Sequence, residues 1–170
     1  MRERIGPWDE FARVQEQLGE AGALLVSVDA RGRPNAMTIG WGQIGTVWSR
    51  PIFLALVRPS RYTHGCIEHT SAFTVNVPVG TMAEELEFCG SRSGRETDKF
   101  AALGLKTEPG HEVPVPMLAG CTIVYECRVV AKTALVPQGL LDDGVRSRYY
   151  PRGDLHTLFF GEILATWRNR

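Results

Sequence analysis

The sequence predicts a mainly β domain: an antiparallel barrel with short helical insertions. Most of its segments read as strands, and several of these are joined by short turns. Its helical segments come in small clusters and do not follow every strand, which disfavours a doubly wound α/β sheet. The length, 170 residues with 44% apolar, suits one domain over residues 1–170 with a real core.

The elements follow in order. Trp8, Phe11, Val14, Gln15 and Leu18 form a helical stripe after Pro7, and Gly19 and Gly22 end it. Residues 23–29, "ALLVSVD", read as a strand; "ARGR" turns the chain and "PNAMTIG" returns as a second strand. Residues 46–48 are a short apolar piece, and residues 52–57, "IFLALV", are another strand. "SRYTHGCIEH" reads as one or two turns of helix, and "AFTVNV" alternates as a strand does. "TMAEELEF" and "TDKFAALG" are helical, the second with Thr97 as N-cap and Gly104 as stop. Two long strands close the chain, residues 121–135 and 155–166, around a charged loop at 137–153.

Composition narrows the function. Lys+Arg and Asp+Glu balance at 19 each, which argues against a nucleic-acid binder but leaves room for a local basic grip on a phosphate. No apolar run approaches the ~20 residues of a membrane span, and charged residues, not a signal-peptide core, follow Met1. The expectation is a cytoplasmic protein that binds neither membrane nor nucleic acid. Cys66, Cys89, Cys121 and Cys127 form no C-x-x-C and read as buried free thiols. His64, Cys66, Glu68 and His69 in "HGCIEH" do not converge on one helical face, so no metal is expected. His111 lies in a proline-rich connector and reads as solvated, Trp167 reads as a packing residue, and no serine sits in a G-x-S-x-G elbow.

"GWGQIG", residues 40–45, spells G-x-G-x-x-G, but "TVWSRP" follows it. A dinucleotide fingerprint needs a helix there, and Pro51 arrives before one completes two turns. The glycines read instead as a strand connection with a close backbone approach to something flat. Two other stretches can grip a phosphate. "RPSRYTHG", residues 58–65, follows a strand and opens a helix, with Ser60 as N-cap and Arg58 and Arg61 for charge. "CGSRSGRETDKF", residues 89–100, clusters glycines, serines, Arg92, Arg95 and Lys99 before the next helix, without the G-K-[ST] order of a Walker A loop.

"NAMTIGW", "RPSRYT", "FTVNVP", "CGSRSGRETDKF" and "HTLFFGEIL" occur in this order. From about residue 20 to residue 166 the chain resembles the flavin reductase-like family of FMN-binding split barrels, and within it the flavoredoxin-like group. The resemblance implies a six-stranded antiparallel Greek-key split barrel, a homodimer with flavin near the interface, and FMN as cofactor with FAD as second candidate. By position it implies that Asn35, Met37, Thr38, Ile39 and Trp41 line the isoalloxazine ring. It gives the phosphate to Arg58, Ser60, Arg61 and Thr63, adds Arg95 and Lys99 from across the site or from the partner subunit, and sets His156 on the nicotinamide side. The implied activity is hydride transfer from NAD(P)H to flavin. The alternative is a flavoredoxin-type electron carrier that takes electrons from a redox-protein partner and has no nicotinamide site. A third reading is a non-enzymatic barrel for another planar ligand such as haem. The loop 137–153 is where substrate choice is expected to reside.

Overall fold

The two long C-terminal strands are the spine of the molecule. In the computed structural model, which describes residues 1–169, β9 (Ile123–Ala134) and β10 (Thr157–Asn169) pair antiparallel. Register shifts at Phe160/Gly161 and Ile163/Ala165 bend the pair, as bulges do. The other strands of this sheet are β1 (Arg2–Ile5), β2 (Ala23–Val28), β3 (Pro34–Ile39), β4 (Gly42–Val47), β5 (Arg50–Val57) and β6 (Ala72–Val77). Their order is β3-β2-β6-β9-β10-β5-β4, with β1 on the far end of β10 and every pairing antiparallel.

β3 and β4 are the two ends of this path, yet they are consecutive in the chain, joined by Gly40–Trp41. Leu25, Met37, Ile44, Phe53, Phe73, Tyr125 and Phe159, one from each of the seven strands on the path, meet in one buried cluster. The sheet therefore curls around a single core and is split at the β3/β4 seam. The helix α1 (Phe11–Glu20) adds Val14 and Leu18 to that core, and α2 (Tyr62–Thr70) adds Ile67. A second layer lies outside β2, β3, β6 and β9. There Leu86 and Cys89 of α3 (Ala83–Ser91) cover Leu24, Val26, Ala36 and Val124, with α4 (Lys99–Leu103) beside them.

The mainly β antiparallel architecture is as the sequence predicts; the strand count differs. β4 is a full strand where only residues 46–48 read as apolar, because Gly42 and Gly45 dilute its pattern. Gly42 is forced by packing: a Cβ there would stand 2.9 Å from the Phe53 ring. The flat object that "GWGQIG" approaches is thus, at this glycine, a ring of the core. Trp48 and Ser49 both have positive φ (52° and 58°) and join β4 to β5 as a two-residue hairpin. β1 is short and charged, and a pair of two-residue strands, β7 (Thr107–Glu108) and β8 (Met117–Leu118), forms a separate ribbon. The loop at 137–153 contains a 3-10 turn, Pro137–Gly139, and a helix, α5 (Asp143–Tyr149), capped by the Asp142 carboxylate. Helix α1 begins at Phe11, so Trp8 lies outside it, and both side chains stay partly exposed.

Several residues outside the groove hold the frame. The fully buried Glu126 carboxylate accepts the backbone N–H groups of His111, Glu112 and Val113 and the Trp167 indole N–H. It fastens the proline-rich connector to β9; a buried carboxylate with four donors is satisfied without a cation. His111 stacks on Trp167 at 4.7 Å. All four cysteines are buried free thiols, and burial raises their pKa values, to about 11 for Cys66 and Cys89 and about 12 for Cys121. No helix among the described residues is long and apolar enough to cross a membrane.

Candidate functional site

Three adjoining cavities form a groove along β3. The middle one, about 200 Å³, lies between the start of α2 and the 92–95 loop. Its lining includes Ser60, Arg61, Thr63, Arg92, Ser93 and Arg95, with Asn35 and Lys99 at its base. Among the described residues, four cations line this cavity and no carboxylate does. The two basic stretches, about thirty residues apart in sequence, thus face one space. Gly94 makes this possible: its backbone passes so close to Asn35 that a Cβ would stand 2.0 Å from Oδ1.

Each expected phosphate residue has a definite place. Arg61, not Ser60, is the N-cap of α2, and among the described residues its guanidinium has no hydrogen-bond or ion-pair partner. Thr63 is buried and accepts the Asn35 amide N–H at 2.8 Å, which leaves its hydroxyl proton free to donate. Arg95 lies over the Tyr62 ring and donates to the Ser60 carbonyl at 2.7 Å. Lys99 departs from expectation. Only 4% exposed, its Nζ donates to the Ala36 and Cys89 carbonyls at 2.8 and 2.9 Å. Burial lowers its pKa, and its direct task is to bolt α4 to β3 and α3. Thr97 is not the cap of α4; the Asp98 carboxylate is, accepting the Ala101 N–H.

Arg58 faces away from the cationic cavity, and the donors of Ser60, at its rim, are already taken. Arg58 donates to the Asp154 and Tyr149 carbonyls at 3.0 and 2.7 Å and lies over the Tyr150 ring. It lines the second cavity, not the cationic one. Ser60 donates its backbone N–H and its hydroxyl to the two oxygens of the Asp154 carboxylate, at 3.3 and 2.6 Å.

The second cavity, about 90 Å³, opens at the β3/β4 seam and is lined by Met37 to Trp41, Leu56, Arg58, Arg61 and His156. Met37 and Ile39 point into the core, while the Thr38 hydroxyl donates to the Leu86 carbonyl; the groove meets mainly their backbone. His156, 7% exposed, is joined to the Tyr150 hydroxyl through Nδ1 at 2.7 Å. Burial, with Arg58 nearby, lowers its pKa to about 4, so the imidazole is neutral near pH 7. Trp41 packs between it and Tyr149, at centroid distances of 5.4 and 4.9 Å.

The third cavity, about 470 Å³, continues from the cationic one through Asn35, Tyr62, Gly94, Arg95 and Lys99 toward Asp29 and Arg33. There the Asp29 carboxyl is held well below the usual range, first by the Arg33 backbone N–H, with the Arg31 N–H, the Arg33 guanidinium and the Tyr62 hydroxyl adding to it. Tyr62, Tyr149, Tyr150 and Asp154 escaped the sequence reading. Their roles arise from contacts across 33 to 108 residues of chain, apart from the Tyr150–His156 bond between near neighbours, and only the aromatic pair Tyr149–Tyr150 before His156 hinted at them.

Known proteins share this fold. An uncharacterised protein of Archaeoglobus fulgidus is 31% identical over 132 residues, 78% of this chain. The match spans 64% of that relative's own length, a little under two thirds. Among solved structures, the flavoredoxin of Desulfovibrio vulgaris (Miyazaki F) superposes with a TM-score of 0.71 at 25% identity, over 88% of this chain and 69% of the flavoredoxin. An FMN-binding protein from Thermus thermophilus, with bound p-hydroxybenzaldehyde, gives 0.68 at 25%, over 88% and 73%. The sequence pattern of the flavin reductase like domain matches residues 20–170, a span that includes every strand of the split sheet except β1, both basic stretches and His156. On that match the chain belongs to the flavin reductase-like family.

Proposed function

We propose that the groove binds FMN, with the phosphate between Arg61, Thr63, Ser93 and Arg95 and the ring against the Met37–Trp41 backbone, and that the protein is a flavin reductase-like oxidoreductase. The observation that carries this reading is the cationic cavity: four cations, no acid, and free hydroxyl and guanidinium donors opposite a strand edge. The names of the flavoredoxin and of the Thermus FMN-binding protein support it. FAD is the second candidate.

A bound flavin would supply the redox chemistry, accepting a hydride equivalent from NAD(P)H. The chain's part is to bind and orient. Arg61 and Arg95 neutralise the phosphate; backbone N–H groups along Met37–Trp41 meet the ring edge and favour negative charge there. Neutral His156, fixed by Tyr150, shapes the stacking surface beside Trp41 and moves no proton near pH 7. The electron-carrier reading has its own support: Tyr149 and Tyr150 cover this end, on the side where a nicotinamide would have to stack.

One experiment tests both. FMN is added to the protein, its absorption recorded, and NADH or NADPH mixed in without oxygen. Micromolar binding with fast bleaching supports the reductase; binding without bleaching supports the carrier, fed by a redox-protein partner; no binding of FMN or FAD ends both.

A homodimer belongs to this proposal. The outer face of β5 and β10 carries Leu54, Leu56, Leu158 and Phe160, with Trp48 60% exposed beside them, an apolar patch fit for a second copy. Sedimentation of a monomer at tens of micromolar would count against it.

A further inference from the structure

We propose that Asp154 is a positioning residue that couples the two ends of the groove: its carboxylate holds the Ser60 donors until a phosphate takes them, and its release lets the 141–154 segment move off Trp41 and His156. The inference rests on the reading of the groove as a flavin site.

The carboxylate occupies an anion position. It accepts both donors of Ser60, N–H and O–H, at the rim of a cavity lined by Arg61, Arg92 and Arg95. A phosphate held by those arginines competes for the same donors with more charge and more acceptor oxygens. It also repels the carboxylate beside it.

The segment that Asp154 anchors is lightly held. Four hydrogen bonds tie it to residues 58–60: Arg58 to the Asp154 and Tyr149 carbonyls, and Ser60 twice to the carboxylate. Two of the four end on the group that a phosphate displaces. No residue of α5 is buried, and Leu141 is 92% exposed. Asp154 has φ 54°, a left-handed conformation that Asp tolerates but does not prefer, so its contacts keep it there. A segment with few buried contacts and strained backbone belongs to the low-stability part of a fold. What it covers is the ring end: Tyr149 packs edge-on to Trp41, and Tyr150 bonds His156, two residues beyond Asp154.

Linkage makes the coupling reciprocal. If phosphate at Ser60 favours the open segment, it favours a ring at Trp41. Riboflavin, which has the ring and lacks the phosphate, separates the two parts. Inorganic phosphate added in trans should raise riboflavin affinity about fivefold or more in the wild type. It should also speed amide hydrogen exchange in residues 141–153 in the absence of flavin. In Asp154→Asn, an isosteric change at an exposed position, riboflavin alone should bind as tightly as it does to phosphate-loaded wild type, and phosphate should change it less than twofold. Ser60→Ala, which cuts the latch from the other side, should also blunt the phosphate effect. A purely structural role for Asp154 would lower riboflavin affinity in the variant and leave the phosphate response intact. If FMN binds and phosphate alters neither riboflavin affinity nor exchange, the coupling is overturned and the flavin site stands. If neither flavin binds at all, both fall.

Discussion

The two ends of the groove are built on opposite principles. At the cationic end the side chains are exposed arginines; among the described residues one has no partner and no carboxylate lines the cavity. At the seam, a neutral imidazole sits 7% exposed among two tyrosines and a tryptophan. The first end recognises charge, so salt and charge removal should govern it. The second recognises shape, so proton uptake and packing should govern it. A ligand with a phosphate at one end and a flat ring at the other matches both. The first three changes below should affect one end and spare the other; the last acts on the link between them.

The largest effect should come from stripping the charged end. Replacing Arg61 and Arg95 together with Ala removes two charge-assisted contacts of about 1.5–3 kcal/mol each. Taking the lower part of that range for exposed groups, FMN affinity should fall by about 4 kcal/mol, roughly 1000-fold. Riboflavin affinity should change little, and raising salt should weaken FMN in the wild type more than in the double variant. Fluorescence quenching titrations with both flavins measure this; an equal loss for riboflavin would place the arginines at the ring.

The seam should answer to pH. His156 titrates at about 4 in the folded protein, against about 6.5 unfolded, because burial disfavours the imidazolium and Arg58 repels it. Between those values the unfolded chain takes up a proton that the folded chain refuses. Stability is therefore complete above about pH 6.5 and declines as pH falls toward 4, by about 3 kcal/mol. Glu10 and Glu68 have lowered pKa values from their arginine and lysine partners, so their losses begin lower, below about pH 4.5. Urea unfolding at pH 7.5 and 5 separates the two. His156→Gln should flatten the loss in that window, and a slope that survives it would assign the proton elsewhere.

A smaller effect concerns turnover. His156→Ala should leave FMN affinity within a few-fold, because the phosphate contacts lie at the other end. Reduction of bound FMN by saturating NAD(P)H should slow about tenfold, since the surface that orients the second ring is lost. Stopped-flow reduction at the wild-type rate would favour the electron-carrier reading.

Much of this comparison was legible in the sequence, and the limits have physical causes. Strands with dense β-branched residues, such as "CTIVYECRVVAKTAL", announced themselves, because alternation and propensity agree there. β4 was shortened by its glycines, and Gly42 answers to Phe53, a contact no local pattern contains. Helix α5 was hidden because none of its residues is buried and so it has no apolar period, although "DDG" held its cap. The two basic stretches pointed to an anion because serine, glycine and arginine before a helix do so locally. Which way each side chain turns is a tertiary fact. Arg58 and Ser60 reach across more than ninety residues to Tyr149 and Asp154, and Lys99 finds two carbonyls instead of a ligand.

The smallest effect should be the one that the sequence alone makes largest. Read locally, Ser60→Ala removes a hydroxyl from a phosphate, a charge-assisted bond whose loss weakens FMN roughly 10- to 150-fold. In the structure that hydroxyl is already spent on the Asp154 carboxylate at 2.6 Å, so FMN must break one charge-assisted bond to make another. The exchange nearly cancels. The alanine variant loses the donor, but it also loses half of the carboxylate's hold on the segment over Trp41. Only the Ser60 backbone N–H, which alanine keeps, still distinguishes bound from free. FMN affinity in Ser60→Ala should therefore stay within about threefold of wild type, a difference of about 0.7 kcal/mol. In the Asp154→Asn background, where the wild-type hydroxyl no longer faces a charged competitor, the same Ser60→Ala change should cost about tenfold. A double-mutant cycle in FMN affinity gives the coupling directly. If Ser60→Ala alone costs tenfold or more, the hydroxyl belongs to the phosphate outright and Asp154 is no competitor for it.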